Sequence, residues 1–171
     1  MSSILVIALG SKNDLKQVKM SGIFDILDEI LGREKYTIDV ISADRNADQM
    51  PSWCTAKLRN GAEVFLGIAG MINVLAGSIA ANLGYSRPVI AVGLESDFSG
   101  GLDTLLSMVR KPAGVATLTT GVGKAALINA ALQSCAILGN SRPPIREKLF
   151  EHFEKNHKKA EFNINPDEIQ T

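Results

Sequence analysis

A chain of 171 residues, 46% hydrophobic and only 5% aromatic, suits one domain with a core of Ala, Val, Ile and Leu. Eighteen basic side chains balance eighteen acidic ones, which removes any general electrostatic case for nucleic acid or a membrane surface as partner. No apolar run approaches the roughly 18 residues that a transmembrane helix requires. Met1-Ser2-Ser3 leads directly into an apolar strand, without the basic region and long apolar stretch of a signal peptide. Cys54 and Cys135 lie far apart and form no Cys-x-x-Cys pair. They read as reduced, buried thiols, and the chain as cytoplasmic.

Ile4 to Leu9 is β-branched and leucine-rich on both faces, as in a strand buried on both sides of a parallel sheet. Gly10-Ser11-Lys12-Asn13-Asp14 follows, with Asn13 or Asp14 placed to cap the next helix. This stretch is either a well-capped strand-to-helix turn or a phosphate cradle. Leu15, Val18, Ile23, Leu27 and Ile30 give one helix over Asp14–Leu31, with Gly32 as its stop. Tyr36–Ser42 is a second strand that ends in the polar turn Ala43-Asp44-Arg45-Asn46. Pro51 opens a helix that runs to Asn60-Gly61, and Glu63–Ala69 is a third strand. Gly70-Met71-Ile72-Asn73 leads into a small-residue helix from Val74 to Leu83. Pro88–Val92 is a fourth strand, the loop Gly93–Gly101 precedes a helix over Leu102–Arg110, and Gly114–Leu118 is a fifth strand. Thr119–Gly123 turns into an Ala-rich helix ending near Leu138-Gly139. Pro143-Pro144 breaks it, and a charged helix runs over Ile145–Lys159 before a polar tail that is expected to be mobile beyond Phe162. The organisation is therefore an α/β domain over residues 1–142 and a helix and tail over 143–171.

Five strand–helix units predict a three-layer sandwich of flavodoxin-like or Rossmann-like kind, with a five-stranded parallel sheet. Ligands of such sheets lie at the carboxyl ends of the strands, so the turns at 10–14, 42–45 and 70–73 and the loop 93–101 are expected to converge. The Ala/Gly/Ser-rich segments Ala69–Gly84 and Gly121–Gly139 imply close packing, either of helix on sheet or between subunits.

The motifs exclude several chemistries. The first turn lacks the second and third glycines of a dinucleotide fingerprint, and Gly123-Lys124-Ala125 lacks the hydroxyl of a Walker loop. His152 and His157 both fall in the terminal helix and read as solvated, so the domain core offers no Ser-His or Cys-His pair. The expected site instead carries Ser11, Asp14, Ser42, Asp44, Arg45 and Asn73, with Lys12 nearby. Arg45 suits phosphate, Asp14 suits ribose hydroxyls, and the set reads as a nucleotide-monophosphate or sugar-phosphate pocket. A surface ion pair is the alternative for Asp44-Arg45.

Gly10-Ser11-Lys12-Asn13-Asp14 resembles the Gly-Ser-x-Ser-Asp turn of the PurE family, and Ser42-Ala43-Asp44-Arg45 resembles its Ser-Ala-His-Arg. Ala69-Gly70-Met71-Ile72-Asn73-Val74-Leu75 resembles its second glycine-rich loop. Gly101–Pro112 and the stretch from Gly114 through Asn129-Ala130-Ala131-Leu132 are similar to its last segments, in the same order. The resemblance implies a flavodoxin-like sandwich, commonly an octamer, that moves a carboxyl group to or within an aminoimidazole ribonucleotide in purine synthesis. It implies no metal and no organic cofactor. By position Gly10, Ser11, Asn13, Asp14, Ser42, Ala43 and Arg45 would hold the phosphoribosyl group, with Ala69, Gly70, Met71, Val74 and Leu75 around the rest of the ligand.

The chemical half departs from the family pattern. Asp44 stands where the family has its proton-shuttling histidine, and Val74 aligns with a second histidine of the mutase branch. Asn73 resembles the Asn of the carboxylase branch, so Asp44 and Asn73 are the candidate catalytic residues. Imidazole, with a pKa of about 6.5, suits proton shuttling near neutrality better than an aspartate at about 3.9. Asp44 can substitute only if burial raises its pKa, and a neighbouring Arg45 works against that. Three functions follow: a family enzyme with Asp44 in the histidine's place, a related enzyme on another nucleotide or aromatic acid, and a non-catalytic nucleotide-binding oligomer.

Overall fold

A computed structural model of the chain describes residues 3–157. The end of the expected terminal helix at Lys159 and the tail beyond Phe162 lie outside the described residues. The first strand, β1 (Leu5–Leu9), is buried on both faces. Alternation sends Leu5, Ile7 and Leu9 into one core and Val6 and Ala8 into the other. Then follow α1 (Asp14–Met20), α2 (Ile23–Ile30), β2 (Tyr36–Val40), α3 (Met50–Arg59), β3 (Val64–Ala69), α4 (Leu75–Asn82) and β4 (Val89–Gly93). The described chain closes with α5 (Leu102–Val109), β5 (Leu118–Val122), α6 (Gly123–Gly139) and α7 (Pro143–Asn156). All strand pairs are parallel, in the order β2-β1-β3-β4-β5. This is the flavodoxin-like order, and it reverses direction between β1 and β3, where a ligand crevice opens.

Two expectations about elements are corrected. The single helix over Asp14–Leu31 is broken in two. Gly22 takes φ +87°, and the Ser21 hydroxyl accepts the Ile23 N–H at 3.2 Å while donating to the Val18 carbonyl at 2.7 Å. The fifth strand is Leu118–Val122 and not Gly114–Leu118. It is an edge strand with Leu118 and Thr119 exposed, so its true span lacks the apolar run that marks a central strand.

The small-residue segments serve close packing of helix on sheet. A Cβ on Gly67 of β3 would stand 2.8 Å from Ala76 Cα, so α4 lies directly on the strand. In α6, Ala126, Ala130, Ala131 and Ser134 are buried. Cys54 and Cys135 are free and buried, and desolvation raises their thiols to about 11 and about 12. Both therefore stay protonated and inert near neutral pH. No described helix is long and apolar enough to cross a membrane.

The α7 stripe divides. Ile145 and Leu149 pack onto the domain core, whereas Phe150 and Phe153 remain exposed. His152 departs from the solvated reading, because it is half-buried with Nδ1 2.8 Å from Glu29 Oε2 of α2. His157 is exposed and lies against Phe153.

Candidate active site at the carboxyl ends of the strands

Three of the four expected segments meet in one cleft of about 370 Å³, formed by the ends of β1, β2 and β3. Its lining includes Gly10, Ser11, Asn13, Asp14, Ser42, Ala43, Asp44, Arg45, Ala69, Gly70, Met71, Val74 and Leu75. Ile72 joins them and was not singled out from the sequence, although it stands inside the third segment. Lys12 and the loop Gly93–Gly101 stay outside the lining. That loop runs along α1 instead, where Gln17 Nε2 donates to the Glu95 carbonyl at 3.2 Å.

The turn after β1 is tied by its own side chains. The Ser11 hydroxyl accepts the Asn13 N–H at 3.3 Å, and Asp14 Oδ2 accepts the Ser11 N–H at 2.8 Å. The Asn13 side chain makes no capping bond, which corrects the expected cap. Gly10 N–H donates to the Ile68 carbonyl at 2.9 Å and pins the turn to the end of β3. Asp14 is half-buried. Desolvation raises its carboxyl above the usual aspartate range, while the Ser11 N–H and the Arg45 charge pull it down.

The turn after β2 is built in the same way. The Ser42 N–H donates to Asn46 Oδ1 at 3.0 Å, and the Ser42 hydroxyl accepts the Arg45 N–H at 3.2 Å. Arg45 then spans the cleft edge, with Nη2 donating to the Gly10 carbonyl at 2.9 Å. Asn46 is a second residue that sequence reasoning missed. Its signal was an Asn four positions beyond Ser42, at the spacing of a side-chain acceptor that closes a turn. Asp44 is exposed at the cleft rim and is not buried.

The third wall is apolar. Met71 and Ile72 are 71% and 66% exposed over the cleft, and Met71 holds a strained φ of +55°. Asn73 is placed differently from the expectation. It is fully buried and absent from the cleft lining. Its Nδ2 donates to the Gly67 and Val92 carbonyls at 3.1 and 3.0 Å, and its N–H donates to the Ser107 hydroxyl at 2.9 Å. One side-chain amide thus reaches a carbonyl on each of two neighbouring strands, so Asn73 anchors the loop from beneath. Val74 borders the cleft and brings no titratable group.

A larger groove of about 1030 Å³ runs along α6 and α7, and its lining mixes Leu132, Leu149, Phe150 and Phe153 with polar side chains such as Asn129, Gln133 and Arg146. The cleft is nonetheless the candidate site, because it lies at the strand-order reversal and gathers Ser11, Asp14, Ser42, Asp44 and Arg45.

The family model described as AIR carboxylase matches residues 4–159. An N5-carboxyaminoimidazole ribonucleotide mutase of Pseudomonas aeruginosa is 36% identical over 149 residues, covering 87% of this chain and 88% of that protein. One of Bacillus subtilis is 35% identical, covering 90% of this chain and 91% of its own. A crystal structure of Treponema denticola PurE superposes with a TM-score of 0.77 at 24% identity, covering 89% of this chain and 90% of that one, and supports the fold. The chain belongs to the AIR carboxylase family, the PurE family of the motifs above.

Proposed function

We propose that the chain transfers a carboxyl group to or within an aminoimidazole ribonucleotide, as a PurE-type enzyme of purine synthesis. The observation that carries this reading is the convergence of the 10–14, 42–45 and 69–75 segments on one cleft, with the Arg45 guanidinium held across its edge. Ser11, Ser42 and Arg45 supply hydroxyl and guanidinium donors for the phosphate, and Asp14 borders the sugar. Asp44 occupies the position of the family's proton-shuttling imidazole and takes the role of base. Mutase chemistry draws its carboxyl group from the ligand itself, whereas carboxylase chemistry takes carbon dioxide as a co-substrate.

One observation favours a second reading. Asp44 is exposed and the facing wall of Met71, Ile72 and Val74 is apolar, which suits a nucleotide-binding protein without turnover, or another reaction on a related nucleotide or aromatic acid. The two are separated by incubating the purified protein with both carboxylation isomers of the ribonucleotide and following the ring's ultraviolet absorbance. A change that Asp44→Ala abolishes supports the enzyme. No absorbance change, together with clear thermal stabilisation by the ribonucleotide, overturns it.

The same reading extends to assembly and location. Leu102, Leu106 and Val109 of α5, Leu118 of β5 and Phe150 and Phe153 of α7 are exposed apolar side chains, supporting a homo-oligomer of octameric type. Phe150→Ser with Phe153→Ser is expected to lower the assembly state by size-exclusion chromatography with light scattering, and an unchanged oligomer counts against α7 as an interface. Two buried free thiols accord with a reducing cytoplasm.

A further inference from the structure

Among the described residues, three charged side chains line the cleft: Asp14, Asp44 and Arg45. The balance is one cation against two carboxylates. Arg45 is the group that a phosphate would claim, and its Nη2 already stands at the cleft edge, 2.9 Å from the Gly10 carbonyl. The neutral side-chain donors of the lining, on Ser11, Asn13 and Ser42, lie on the turn that ends in Asp14 and the turn that carries Arg45. A phosphate seated on those turns leaves no side-chain cation of the lining for a second anion.

The rest of the cleft is unsuited to an anion on two further counts. Asp44 is exposed at the rim, and none of the ion pairs among the described residues includes it. An ionised carboxylate only accepts hydrogen bonds, so it attracts an N–H and repels a second carboxylate. The third wall, Met71, Ile72, Val74 and Leu75, brings no charge and no side-chain N–H or O–H. A carboxylate pressed against it loses water and gains no side-chain partner there.

We propose that the cleft selects a phosphoribosyl ligand whose ring end is uncharged and carries N–H donors, and disfavours one whose ring bears a carboxylate. Asp44 and the Met71–Ile72 wall are the specificity-determining side chains. This rests on the reading of the cleft as a phosphoribosyl site. On the carboxyl-transfer reading, the uncarboxylated ribonucleotide is the tightly held member of the pair, and the ring-carboxylated one is the member that leaves readily.

The test is titration calorimetry of the full chain at about pH 7.5, where carboxylates are ionised. The probes are two ligands of one shape, the ribonucleotides of imidazole carboxylate and of imidazole carboxamide. The carboxamide replaces a negative charge by N–H donors. Neither probe carries the amino group that pushes electrons into the ring, so neither gives up carbon dioxide during the titration. Wild type is expected to bind the carboxamide about tenfold tighter than the carboxylate. Asp44→Asn removes the like charge and is expected to cut that ratio to about threefold. Ile72→Arg sets a cation on the exposed part of the wall and is expected to cut the ratio at least as far. Binding of both probes with a wild-type ratio below about threefold overturns this proposal alone. A ratio that neither substitution lowers overturns the assignment to Asp44 and the wall. If Asp44→Asn fails to fold, the ratio in wild type and in Ile72→Arg decides. Absence of binding by both probes and by aminoimidazole ribonucleotide overturns the cleft reading and the proposal with it.

Discussion

The two walls of the cleft are built by opposite means. The polar wall, the turns after β1 and β2, is held at the surface by short side chains bonding to nearby backbone: Ser11, Asp14, Ser42 and Asn46. The apolar wall after β3 is held from below, by a buried Asn73 that ties the loop to β3 and β4. Local bonds specify a turn from its own sequence, whereas a buried anchor depends on the whole sheet. The polar half is thus specified mainly by its own turns, and the apolar half by the packing of three elements.

The largest effect that breaks this contrast is expected from Asn73→Leu. It leaves the Gly67 and Val92 carbonyls without their donor and costs about 2 to 4 kcal/mol of stability, read from urea unfolding. Loss below about 1 kcal/mol would falsify the anchoring role. Next comes Arg45→Ala, which is exposed and is expected to leave folding unchanged while weakening ribonucleotide binding by about 1.5 to 3 kcal/mol in calorimetry. An affinity within threefold of wild type removes Arg45 from the phosphate site. Met71→Gly relieves the positive φ and is expected to stabilise the fold by about 0.5 to 1 kcal/mol, and a thermal midpoint that falls instead would mean that the side chain packs on the wall.

The smallest effect is the most diagnostic of the polar wall. Burial raises the Asp14 carboxyl above its unfolded value near 3.8, so the fold favours the neutral form. The stability this contributes is complete below the unfolded pKa and is lost as pH rises through the folded pKa. Asp14→Asn is therefore expected to be slightly more stable than wild type at pH 7, with the difference shrinking as pH falls toward 4. A difference of opposite sign in urea midpoints rejects the desolvated carboxyl.

The same division explains what was legible in the sequence. β1 and β3 are buried on both sides, so their apolar runs and the turns after them could be read directly. The edge strand β5 buries too little for its pattern to show, and the more apolar Gly114–Leu118 drew the assignment away from it. The α1–α2 break was hidden because Val18, Ile23 and Leu27 keep a helical spacing across Gly22. Asn73 was legible as a polar residue in a ligand loop but not as an anchor, because its acceptors lie on β3 and on β4, the latter 19 residues away. The division of α7, with two apolar residues inside and two outside, likewise depends on where α6 and α2 run.

The bond from Arg45 to the Gly10 carbonyl also has a kinetic consequence. The arm is already parked at the cleft edge, so capture of an anion exchanges one acceptor for another and orders little chain. The encounter is then governed by a long-range pull on an exposed cation, which dissolved salt attenuates within about 10 Å at 0.1 M. Raising ionic strength is expected to slow association while leaving the dissociation rate nearly untouched, a signature that stopped-flow mixing at several salt concentrations can read.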